Sequence, residues 1–168
     1  RQALIIEHTQ DVEFLGEKMA DLNVSIIQLE PLHVAAALGF GPNPEELAFN
    51  KIYEFALQNG LLIDGNLPVT YGFNNPDPTP GSPNYGYEVW LPVREDIQLV
   101  QDIKIIDFPG GLYAVTRVQG IENIGRVWKE MVKWREKSKY AWGNHQWLEK
   151  LLTPLDTPID QYIFDLYL

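Results

Sequence analysis

The chain has no cysteine, and among its 168 residues it has only three histidines, His8, His33 and His145, far apart in sequence. The first absence excludes disulfides, thiolate nucleophiles and cysteine-based zinc sites. The second leaves no metal-ligand spacing, so no metal and no cofactor is expected. Positive charge is scarce as well: 13 basic residues stand against 23 acidic ones, a net charge of -10. A broad nucleic-acid footprint on this chain is therefore not expected, since such footprints are basic. No apolar run approaches the roughly 20 residues that span a bilayer, and no signal peptide is visible, which points to a cytoplasmic protein without a membrane partner. Also missing are a GxSxG elbow, a P-loop, an HExxH helix and a dinucleotide-binding fingerprint, so no catalytic residue is assigned.

What is present is a globular composition, 45% hydrophobic and 12% aromatic, and a duplication. Val24 to Gly41 (VSIIQLEPLHVAAALGFG) aligns without a gap on Ile103 to Gly120 (IKIIDFPGGLYAVTRVQG) at a spacing of 79 residues. Ile26 falls on Ile105, Ala35 on Ala114, Phe49 on Trp128 and Phe55 on Trp134. Each unit reads as strand, strand, helix, strand. In the first, strands are expected at 24–30, 32–41, 68–73 and 85–93, with a helix at 44–59. In the second, strands are expected at 103–109, 111–119 and 160–168, with a helix at 121–137 and a short aromatic helix at 142–151. The architecture predicted is α+β: two pseudo-symmetric repeats (24–93 and 103–168), an antiparallel sheet, and a ligand cleft between the halves. The proline-rich segment NNPDPTPGSPNYG between two strand-like flanks reads as a long loop within the domain.

Residues 1–23 carry a heptad pattern, with Ile5, Val12 and Met19 seven apart, and His8, Leu15 and Leu22 likewise. The pattern suits a linker or dimerisation helix through residues 1–22, and equally an amphipathic helix lying on the domain's own core. The chain starts at Arg1 inside that pattern, so an upstream portion is expected.

Two strands place a carboxylate beside an aromatic. In Tyr85–Val93, alternation puts Glu88 and Trp90 on one face and Tyr87, Val89 and Leu91 on the other. In Ile163–Leu168, Asp165 and Tyr167 share a face, which matches Glu88 with Asp165 and Trp90 with Tyr167. A charge within an apolar strand costs several kcal/mol unless paired or solvated. The pattern therefore suits a pocket with an anionic floor and aromatic walls for a hydrophobic cation, or strand faces that are simply wet. Tyr71, Phe40 and Trp142 are further candidates for its walls. Glu149 could add a carboxylate, although an exposed helix glutamate is the simpler reading.

The duplicated unit, the YGFNNPDP segment and the GYEVWLPV strand together resemble the GyrI-like small-molecule-binding domain, the effector-binding module of MerR- and AraC-type bacterial transcription regulators. The resemblance covers the chain from about Val24 to its end. It implies that a cationic, aromatic ligand lies between the repeats, with Glu88 as the carboxylate and Trp90 as its neighbour. Asp165 matches an acidic residue on the last strand of other members. It further implies multidrug-type sensing, with DNA reached only through an upstream domain. Two alternatives accompany it: a stand-alone hydrolase of electrophilic small molecules that uses the pocket glutamate, and a module that inhibits another protein through an acidic face.

Overall fold

The computed structural model describes residues 22–168. The heptad segment before Leu22 lies outside the described residues. Eight strands and two helices follow in the order β1 (Ser25–Leu29), β2 (Leu32–Gly41), α1 (Pro44–Gln58), β3 (Thr70–Asn74), β4 (Tyr85–Pro92), β5 (Ile103–Phe108), β6 (Gly111–Gln119), α2 (Ile124–Lys137), β7 (Leu148–Leu151) and β8 (Ile163–Tyr167). All strands pair antiparallel in one sheet of order β1-β6-β8-β7-β3-β4-β2-β5.

That order is the duplication written in hydrogen bonds. Exchanging the repeats (β1 with β5, β2 with β6, β3 with β7, β4 with β8) reverses the order and leaves it unchanged. The registers obey the same operation. Ile26 pairs with Ala114 as Ile105 pairs with Ala35, at the sequence spacing of 79. Leu38 pairs with Glu88 as Arg117 pairs with Asp165, which matches Glu88 with Asp165 and Trp90 with Tyr167. In the inner strands the spacing becomes 77: Gly72 pairs with Val89 as Glu149 pairs with Leu166. Gly72 and Glu149 pair with each other. The pseudo-twofold axis thus passes through the Gly72–Glu149 pair.

The sheet cannot be flat. β1 stands at one end and β2 six strands away, a separation of about 29 Å at ordinary strand spacing. Only Glu30 and Pro31 join them, a link that reaches about 11 Å at full extension from Leu29 to Leu32. Pro109–Gly110 joins β5 to β6 under the same constraint. The sheet therefore rolls until its two ends meet, and the two links cross. Gly110 has φ +75°, and a Cβ there would collide with the backbone of Leu29 and Glu30, so the crossing requires glycine.

Alternation sorts the side chains between the two surfaces of the roll. Inside lie Val34, Ala36, Tyr71, Phe73, Trp90, Tyr113, Val115, Leu148 and Tyr167 in one apolar cluster. Outside, Ala35, Ala37, Val89 and Leu91 receive Ala48, Ile52, Phe55 and Ala56 of α1. Ile26, Ala114, Val118, Phe164 and Leu166 receive Val127, Met131 and Trp134 of α2. α1 begins at Pro44, whose fixed φ suits a first helical position, with Glu45 and Glu46 in the positive first turn.

One expected element is different. Residues 142–151 do not form a helix: 140–147 run without regular structure and Leu148–Leu151 is a strand. Gly143 and Asn144 are poor helix formers within the expected helix. Leu148–Leu151 then takes the central place that β3 occupies in the other repeat, paired on both sides. Among the described residues no helix is long and apolar enough to cross a membrane, and no cluster of three or more His, Asp or Glu could hold a metal ion.

Candidate functional site

A cavity of about 570 Å³ opens between α1 and α2, directly over the axis. Its lining comes in symmetry-related pairs. Glu45 and Ile124 hold equivalent places at the helix starts, Tyr85 lies at the start of its closing strand and Tyr162 just before its own, and Tyr87 and Phe164 lie within them. Glu149 forms part of the floor. Among the described residues that line it there are three carboxylates, Glu45, Glu46 and Glu149, and no Lys, Arg or His.

Glu149 is the best-held carboxylate. The Tyr87 hydroxyl donates to its Oε1 at 2.8 Å and the Trp128 indole Nε1 donates to its Oε2 at 3.2 Å. Tyr87 belongs to β4, two strands away from β7, and must cross β3 to reach it. Gly72 makes that possible, because a Cβ at this position would strike the Tyr87 hydroxyl. Burial raises the Glu149 carboxyl above its ordinary value of 4.5, against the two donated hydrogen bonds, which act to lower it. Burial, followed by the neighbouring Glu149, also raises Tyr87 well above the ordinary phenol value. A second pair sits at the rim, where the Tyr85 hydroxyl donates to both oxygens of Glu45 at 2.7 and 2.9 Å. Burial, then that bond, pushes Tyr85 up to about 12. Expected as a helix glutamate, Glu149 is instead a partly buried strand residue.

The structure brings Glu88 against Trp90 and Tyr71 against Tyr167, but none of the expected site residues lines the seam cavity. Trp90, Tyr71 and Tyr167 pack inside the roll. Trp90 lies 5.0 Å from Phe73 and 5.1 Å from Phe108, and Tyr167 lies 6.0 Å from Tyr71 and 5.5 Å from Tyr113, measured between ring centroids. Glu88 points away from the helices, since Tyr87 takes the helix-facing position. It accepts from Trp90 Nε1 at 2.6 Å and from Asn75 Nδ2 at 3.2 Å. Asn75, Phe73 and Trp90 line a larger open groove of about 1100 Å³ around the strand ends, which Glu149 also borders. Asp165 is held bidentately by Arg117 at 2.8 and 3.1 Å, so its charge is already paired. Phe40 is exposed at the end of β2. Trp142 is exposed beyond α2, with the Arg135 guanidinium 4.0 Å over its ring.

The seam residues Glu45, Tyr85, Tyr87 and Phe164 were not among the expected binders, and Glu149, raised as a further carboxylate, reads first from the sequence as an exposed helix residue. Alternation carried part of the signal, because Tyr85 and Tyr87 share the face of their strand opposite Glu88, and matching Glu88 with Asp165 sets Phe164 at the place of Tyr87.

Comparison with known proteins is consistent with this architecture. The family model described as Cass2, integron-associated effector binding protein, matches residues 25–168. Among solved structures, a chain of the EcmrR–DNA complex superposes with a TM-score of 0.68 at 11% identity, covering 99% of this chain and 65% of that one. This chain therefore spans about two-thirds of that protein's length. A hydrolase from Listeria innocua superposes with a TM-score of 0.61 at 13% identity, covering 94% and 96%. SAV2435 bound to tetraphenylphosphonium superposes with a TM-score of 0.50 at 12% identity, covering 86% and 92%. Identities this low establish the fold alone. No curated protein matches the chain in sequence.

Proposed function

The chain belongs to the Cass2 family of integron-associated effector-binding proteins, with a GyrI-like effector-binding domain, and from that premise we propose that it senses a hydrophobic, cationic small molecule in the seam cavity. The observation that carries the reading is the cavity's chemistry. Carboxylates and aromatics line a volume of about 570 Å³, within the usual range for drug-sized ligands. Glu149 supplies the counter-charge, Tyr85, Tyr87 and Phe164 the aromatic faces for cation–π and stacking contact, and Glu45 a second charge at the rim. The fold-level neighbour bound to tetraphenylphosphonium supports the ligand class. Glu88 is a second candidate anion, bonded to Trp90 and Asn75, which line the larger groove.

In this reading the domain reports occupancy to an upstream DNA-binding domain, with residues 1–22 as linker or dimer contact. The EcmrR–DNA complex supports that arrangement by analogy of fold. A ligand shifts such an equilibrium only through differential affinity for two arrangements. A titration with tetraphenylphosphonium followed by calorimetry tests the proposal. Saturable binding that weakens in Glu149→Gln is expected, and no binding to the wild type sinks it.

A second reading rests on the same carboxyl. Its raised proton affinity and its bond to Tyr87 are also what a general acid or base needs, and a hydrolase shares the fold. Turnover of an epoxide or a comparable electrophile, lost in Glu149→Gln while binding persists, would establish an enzyme instead.

A further inference from the structure

The geometry points to a second, oppositely charged site: a pocket at the C-terminal end of α2, centred on Arg135, that takes a small aromatic carboxylate. The pocket measures about 180 Å³ and shares no lining residue with the seam cavity. A cavity of ~150 Å³ is enough to hold a benzene ring, so this one suits a single-ring ligand.

Its chemistry is the reverse of the seam's. Arg135 and His145 line it, and among the described residues of its wall there is no acidic side chain. The Arg135 guanidinium is held in place by the Trp142 ring 4.0 Å below it and by one bond from Nη1 to the Tyr140 carbonyl at 3.3 Å. Its Nε is buried and makes no hydrogen bond. A carboxylate entering the pocket is the acceptor whose two oxygens match the Nη edge of the guanidinium, where only Nη1 has a partner among the described residues. Aromatic walls stand around it. Trp142 and Trp147 stack at 5.7 Å and 21°, and His145 lies 5.7 Å from the ring of Tyr113.

The other repeat has no counterpart. Ala56 stands on α1 where Arg135 stands on α2, 79 residues on. The connection 59–69 between α1 and β3 holds the place of 138–147 between α2 and β7, but it carries no aromatic, arginine or histidine. The pocket is thus particular to the second repeat through its side chains, on a frame that both repeats share.

The test titrates the whole chain with benzoate and with benzamide, its neutral isostere, by calorimetry. Benzoate is expected to bind at least about tenfold more tightly than benzamide, the scale of one charge-assisted bidentate pair. Arg135→Gln is expected to abolish that preference while its melting temperature stays close to wild type. Equal binding of the two probes to the wild type, or no saturable benzoate binding, overturns the proposal without reliance on the variant. Benzoate binding that survives unchanged in a folded Arg135→Gln chain also overturns it.

Discussion

The two repeats share a frame and differ in what they place on it. At the seam, repeat one contributes Glu45, Tyr85, Tyr87 and Gly72, while repeat two contributes Ile124, Tyr162, Phe164 and Glu149 at the matching places. The hydroxyls of Tyr85 and Tyr87 both serve carboxylates. Tyr162 turns its hydroxyl to the Leu155 carbonyl, and Phe164 has none. One wall is therefore polar and acidic and the other largely apolar, with a single carboxylate on the axis. Symmetric strand pairing fixes the cavity's position, and the unequal residues give it a direction. A ligand with a charged end and an apolar body would lie across the axis in one orientation.

The largest expected effect comes from removing the axial charge. Glu149→Gln should weaken tetraphenylphosphonium binding about 10- to 100-fold by calorimetry, the cost of losing a charged partner in a partly buried site. Next comes the residue that stands opposite it. Gly72→Ala places a methyl where the Tyr87 hydroxyl lies, and should destabilise the fold by about 1–3 kcal/mol in denaturant unfolding. A loss below a few tenths would mean that Tyr87 relaxes freely and does not need the gap.

The raised Glu149 carboxyl gives a pH signature. The folded chain holds this proton more tightly than the unfolded one. Its stabilising contribution is therefore fully present below the ordinary value of 4.5 and is lost as the pH rises through the raised folded value. Wild type should lose stability relative to Glu149→Gln as the pH climbs from the ordinary carboxyl value of 4.5 through the raised folded value. Over the same range its affinity for a cation should rise, since the cation favours the ionised form. A constant difference between the two proteins would contradict the assigned shift. Smallest of all, Glu45→Gln at the rim should weaken cation binding only about two- to fivefold, because solvent screens a half-exposed charge.

Much of the frame was legible in the sequence, for identifiable reasons. Leu32–Gly41 and Gly111–Gln119 were read with their observed bounds, because Pro31, the Pro109–Gly110 pair and Gly120 punctuate clear strand patterns. The faces of β4 followed from alternation alone. The strand Leu148–Leu151 did not. Its four residues carry little periodicity. What makes it a strand is partners distant in sequence, Thr70–Gly72 and Phe164–Tyr167. Glu149 was hidden with it. The spacing between repeats drops from 79 to 77 in the inner strands, so the alignment that revealed the duplication does not set Gly72 against Glu149. Glu88 drew attention because it is a charge in an apolar strand, but the same alternation that pairs it with Trp90 turns it from the helices and gives Tyr87 the seam.

The most direct test of the account is a crystal structure of the chain with tetraphenylphosphonium. The account predicts the cation on the pseudo-twofold axis between α1 and α2, against Tyr85, Tyr87 and Phe164 and beside the Glu149 carboxylate. A cation lodged instead in the groove beside Trp90 and Glu88, with the seam cavity empty, would contradict it.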